Sequence, residues 1–140
     1  MNPILAFPLE PMFRAPGAED KSHDYLPATD HEIDICPDPQ LAESAREAAQ
    51  RLYSEVRNAG VIDTDIFGFE VWAARLAPAA VAMYISGTYD WPVILIDLEK
   101  HRGSEKEEIF RSLRHELRHA VQESREEDPD EDDAEHFTTW

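Results

Sequence analysis

No glycine or proline interrupts the chain between Gly103 and Pro129, and that unbroken stretch constrains the fold more than any other feature of the sequence. Ser104 and Glu107 stand at the S-x-x-E spacing of a capping box, so the stretch predicts a long helix ending near Ser124. Ile109, Leu113, Leu117 and Ala120 recur at helical spacing and form its apolar stripe. At about 100° per residue, His115 and His119 lie about 40° apart on the other side. The helix must bury one side and offer the histidines from the opposite one.

The first 38 residues behave in the opposite way. They hold Pro3, Pro8, Pro11, Pro16, Pro27 and Pro37, six of the ten prolines, with eight acids and two bases. Such punctuation leaves no room for a long regular element, so residues 1–38 are expected to form an irregular arm, docked through short apolar groups such as Ile4-Leu5-Ala6-Phe7 and Met12-Phe13. A domain spanning 39–140 follows. Asp38 as N-cap and Pro39 at the first position open a helix carrying Leu41, Ala45, Ala48, Ala49, Leu52, Tyr53 and Val56, and Asn58-Ala59-Gly60 closes it. Residues 67–76, 80–85 and 92–98 then read as three strands of a small, mostly antiparallel sheet, with Ser86 to Asp90 as a hairpin-like connection. The run Val93-Ile94-Leu95-Ile96 does not alternate, so both its faces should be covered. A last short helix is expected from Asp128-Pro129 to near Trp140. The fold class is therefore α+β.

Charge excludes several functions. The 140 residues carry 30 acids against 13 bases, a net charge of -17, which opposes binding to nucleic acid or an anionic membrane. One cysteine, Cys36, permits no intramolecular disulfide and suits a reducing compartment. No apolar run is long enough to span a bilayer and the N-terminus lacks a signal-peptide pattern, so a cytoplasmic location is expected.

His115-Glu116-Leu117-Arg118-His119 is an H-E-x-x-H pattern. Histidines at i and i+4 of a helix can offer two imidazole nitrogens to one Zn²⁺, and a glutamate beside the first can take a proton from water activated by that metal. Chance produces the pattern in about three of every hundred sequences of this composition, so it needs support. A catalytic zinc normally takes a third protein ligand. Glu131-Asp132-Asp133-Ala134-Glu135 supplies acids that can fold back to it. The same stretch also reads as a solvated acidic tail, with nine acids and one base between Glu123 and Glu135. It is no EF-hand loop, because Asp133 and Thr139 occupy the positions that need Gly and Glu when counting from Asp128.

The pairing of H-E-x-x-H with a later E-x-x-[small]-[acidic or amide] helix resembles the gluzincin metallopeptidases, including the ImmA/IrrE-like peptidases and the minigluzincins. The resemblance covers residues 110–137 in motif and 39–140 in architecture. It implies a minimal zincin fold, a Zn²⁺ cofactor held by His115, His119 and Glu131, and Glu116 as general base. It implies that Glu135, standing where the pattern has Asp or Asn, hydrogen-bonds a zinc-binding histidine. Ala134 fills the small position and Phe137 matches an aromatic of the motif. Asp133 and Glu135 are the alternative ligands, because the interval from His119 to Glu131 is short. The implied activity is hydrolysis of a peptide or protein substrate held extended along an edge strand.

Donors for the reaction's oxyanion include His136, Tyr84, Tyr89 and Arg118. Cys36 reads as a small buried hydrophobe, or as a thiolate lying over an open zinc position. Two other functions fit the same residues: a non-enzymatic acidic protein whose charge mimics nucleic acid, and a zincin fold that keeps zinc without catalysis.

Overall fold

The computed structural model describes residues 11–16, 30–34, 37–61, 68–85, 92–103, 106–125, 128 and 130–136. Among these are three helices, α1 (Pro39–Asn58), α2 (Lys106–Ser124) and α3 (Glu131–His136). Five strands accompany them: β1 (Phe13–Arg14), β2 (Glu32–Ile33), β3 (Glu70–Arg75), β4 (Ala82–Ile85) and β5 (Val93–Ile96). The class is α+β, as the sequence predicts. Cys36, Ser104, Tyr89, Trp91, Pro129, Phe137, Trp140 and the Ser86 to Asp90 connection lie outside the described residues.

The sheet differs from expectation in strand number and direction. β3 pairs in parallel with β5, while β1, β2 and β4 pair antiparallel with their neighbours, so the sheet is mixed and has five strands. The reason lies in burial. All four residues of Val93–Ile96 are fully buried, and a strand that is apolar on both faces belongs inside a sheet. β5 therefore inserts between β3 and β4, and half-exposed β4 takes the edge. Asp97 ends β5, where its carboxylate accepts the Leu76 N–H at 3.0 Å.

The arm contributes more than its prolines suggest. β1 and β2 lie end to end along the edge of β3 away from β5, with Met12 N–H donating to Val71 O at 2.8 Å and Asp34 N–H to Ala73 O at 2.9 Å. Phe13 stacks with Tyr53 and Phe69 at centroid distances of 6.1 and 5.2 Å. Arg14 Nε donates to the buried Glu70 carboxylate at 2.8 Å.

Both long helices cover one face of the sheet. α1 contributes Ala42, Ala45, Ala48, Ala49, Leu52, Tyr53 and Val56, and α2 contributes Ile109, Phe110, Leu113, Leu117 and Ala120, to one core with Val71, Ala73, Ile94 and Ile96. Small alanines let α1 approach closely, and each fully buried Leu or Ile stabilises the fold by about 1.5–3 kcal/mol. The opposite face buries Ile33, Trp72, Ala74, Val93 and Leu95.

α1 begins and ends as its sequence predicts. The Asp38 carboxylate accepts the Gln40 and Leu41 N–H groups at 2.9 and 3.1 Å. At the other end Gly60 takes φ +70°, and the Gly60 and Val61 N–H groups donate to Arg57 O and Val56 O, a Schellman closure. The Leu41 N–H in the first place, helped by Arg102, holds the Asp38 carboxyl below the usual carboxylate range. A lowered folded pKa gives stability that is complete above the unfolded value and is lost as pH falls through the folded one. Asp38→Asn should therefore keep the cap, match the wild type in acid and melt below it at neutral pH, as a series of thermal melts across pH would record.

Candidate metal centre

Leu113 and Leu117, both fully buried, fix the rotation of α2 about its axis and turn His115, Glu116 and His119 away from the core. The three side chains are largely but not fully buried, at 17%, 15% and 13% exposure. α3 returns over them. His115 Nε2 lies 3.0 Å from Glu131 Oε2, His119 Nε2 lies 2.9 Å from Glu131 Oε1, and the two Nε2 atoms are 3.2 Å apart. Among the described residues, His115, His119 and Glu131 are the one group of three whose donor atoms converge closely enough for a shared metal.

The outer nitrogen of each ring is also engaged. His115 Nδ1 lies 3.0 Å from Glu135 Oε2, and a carboxylate there requires Nδ1 to be the donor. Glu131 and Glu135 are one helical turn apart on α3, so both reach the same imidazole. His119 Nδ1 lies 3.0 Å from Gln122 Oε1. The amide orientation of Gln122 follows from its other partners: Nε2 donates to Asp130 O at 3.2 Å and to Asp133 Oδ2 at 2.7 Å, and Oε1 accepts the Asp130 N–H at 3.2 Å. Oε1 can only accept, so Nδ1 of His119 is the donor of that bond, and Nε2 is the ring nitrogen turned to Glu131.

The Glu116 carboxylate accepts the backbone N–H of Tyr84 at 3.0 Å, and its other oxygen is 3.8 Å from His115 Nε2. Burial raises the Glu116 pKa above the usual range, against the lowering pull of His115, His119 and the Tyr84 N–H. That N–H belongs to an edge strand: among the described residues β4 pairs with β5 alone.

Several residues singled out from sequence lie elsewhere. Asp133 faces Arg118 and Gln122 instead of the imidazoles, with Arg118 Nε at 2.7 Å, and this contact above all holds its carboxyl below the usual range. Arg118 is engaged by the same pair. The Tyr84 hydroxyl donates to Glu123, seven residues beyond Glu116 and thus about 10 Å along the helix. Its pKa is raised, chiefly by burial and then by Glu123. His136 is exposed, with Nδ1 at 3.1 Å from Asp132 O. α3 starts two residues later than the Asp128-Pro129 pattern predicts. Asp130 takes the capping role, its carboxylate accepting the Asp133 N–H at 3.0 Å.

One residue with contacts at the site was missed in the sequence: Gln122. Gln122 carried a usable signal. It stands three residues after His119, which places both on one helix face, and it falls in a stretch where a polar group needs a partner.

Compared with known proteins, the chain matches no family model, no curated sequence and no solved structure. The donor set itself fits zinc. Ligands about 2.0–2.1 Å from a tetrahedral Zn²⁺ are about 3.3 Å apart, close to the separations of 3.2, 3.0 and 2.9 Å found here. Three electron-pair donors meeting so closely repel one another unless a cation or a proton lies among them. Tyr84→Phe should remove only the Glu123 bond, leaving zinc affinity by competitive chelation within about twofold of the wild type, since the hydroxyl is remote from the donors.

Proposed function

We propose that the chain is a zinc-dependent peptidase in which His115, His119 and Glu131 hold the metal and Glu116 is the general base. The observation that carries this reading is the convergence of two Nε2 atoms and one carboxylate, with both outer nitrogens engaged by acceptors. Zn²⁺, when bound there, supplies Lewis-acid polarisation of the scissile carbonyl and lowers the pKa of water. Glu116 accepts a proton from the attacking water and delivers it to the leaving amine. Glu135 and Gln122 keep the two imidazoles in the tautomer that offers Nε2.

The edge of β4 supports a peptide as substrate. An extended chain can pair with an open strand edge through its backbone, and the Tyr84 N–H on that edge points at the same carboxylate that would serve as base. The resemblance to minimal gluzincins implies the same arrangement and the same α+β zincin architecture. The acidic surface alone favours a nucleic-acid mimic less. The mimic reading is favoured by the net charge of -17 but accounts for no part of the convergence of His115, His119 and Glu131.

Metal analysis of the purified chain should find one equivalent of zinc, and His115→Ala should lose it. Glu116→Gln should retain zinc while hydrolysis of a mixed peptide library drops at least about 100-fold. Full activity in Glu116→Gln removes the base assignment, and a zinc-loaded chain that cleaves nothing in the library leaves a purely metal-binding fold.

A further inference from the structure

We infer that Gln122 is the positioning residue of this centre: its one amide locks His119 and delivers Glu131 to it across the short return from α2 to α3. This rests on the zinc reading of His115, His119 and Glu131.

The need for such a device is plain from Glu131 itself. Its side chain is 77% exposed, so no packing holds it, and its position is set by the backbone of α3. α3 has six residues and buries only Ala134, far too little for a helix to form or dock by itself. Something must anchor it. Arg118 helps by reaching Asp133, and Glu135 by reaching His115.

Gln122 contacts both His119 and the start of α3. It is 2% exposed, and its Oε1 accepts from His119 on one side and from the Asp130 N–H on the other. Its Nε2 donates to Asp130 O and to Asp133. Asp130 caps α3 and immediately precedes Glu131, so the amide grips the backbone one residue away from the third ligand. All four hydrogen-bonding positions of the amide are engaged. Reversing the amide would set its oxygen against two acceptors and its nitrogen against a donor, so the orientation is unique. The same four bonds therefore decide which nitrogen of His119 is bare and how close Glu131 comes to it.

The test uses the full chain and three measurements: ring ¹⁵N NMR of the metal-free protein, zinc affinity by competitive chelation, and the visible absorption of the Co²⁺-loaded protein. The wild type should hold His119 with Nδ1 protonated. Gln122→Met should lose that tautomer preference, bind zinc about 10- to 100-fold more weakly and shift the cobalt bands. Gln122→Glu separates the two functions, and it also covers the case in which the Met variant does not fold. It keeps an acceptor for His119 but sets a carboxylate against Asp133, so the tautomer should persist while affinity falls and the bands shift. A wild type that takes no zinc overturns the metal reading itself. A wild type that binds zinc, with a folded variant matching it in affinity and cobalt spectrum, overturns the role of Gln122 alone.

Discussion

Helix α2 has to satisfy two opposite demands, and the rest of the molecule is arranged around that. One side must disappear into the core, where Leu113 and Leu117 are wholly buried against α1 and β5. The other must hold three ionisable side chains close together without drowning them. Dense packing resolves the conflict, because a close-packed interface permits one rotation of the helix and no other. The alanines of α1 contribute by bringing the two helices into direct contact, and ion pairs such as Arg114 with Glu55 at 3.1 Å line their seam. β5, buried on both sides, gives α2 a rigid floor. β4, which pairs with β5 alone among the described residues, then sets its other edge beside Glu116.

Electrostatics would drive the acidic end of the chain away from Glu116. Burial is the main cause that raises the Glu116 pKa, and the negative charge of Glu131 adds to it. Neutral and cationic groups of α2 offset the repulsion. Arg118 neutralises Asp133, Gln122 binds the cap of α3 without adding charge, and His115 and His119 face Glu131 and Glu135. A divalent cation among the Nε2 atoms and Glu131 would complete this compensation, which is why metal content bears so directly on the peptidase proposal.

Much of this could be read from residue types. The Asp38 cap, the Gly60 closure, the apolar stripe of α2, the two-sided burial of Val93–Ile96 and the shared helix face of His115 and His119 all follow from spacing and chemistry. What escaped was long-range. β1 and β2 are two residues each, too short to carry a pattern, and they exist because β3 offers them an edge. The parallel pairing of β3 with β5 was invisible because strand order depends on which strand is buried most, a comparison across the whole sheet. Gln122 escaped because an amide carries no charge pattern, and Asp133 looked like a ligand until Arg118 met it.

Local spacing settled which side chains share a helical turn, since 3.6 residues per turn is a property of the backbone and needs no other part of the chain. It settled the α+β class and the pairing of two histidines with one glutamate on α2. The arrival of Glu131, the pairing of Asp133 with Arg118 and the placing of the β4 edge beside Glu116 were left to folding in three dimensions. Each depends on groups far apart along the chain, and their contact energy exists only once the core has brought them together.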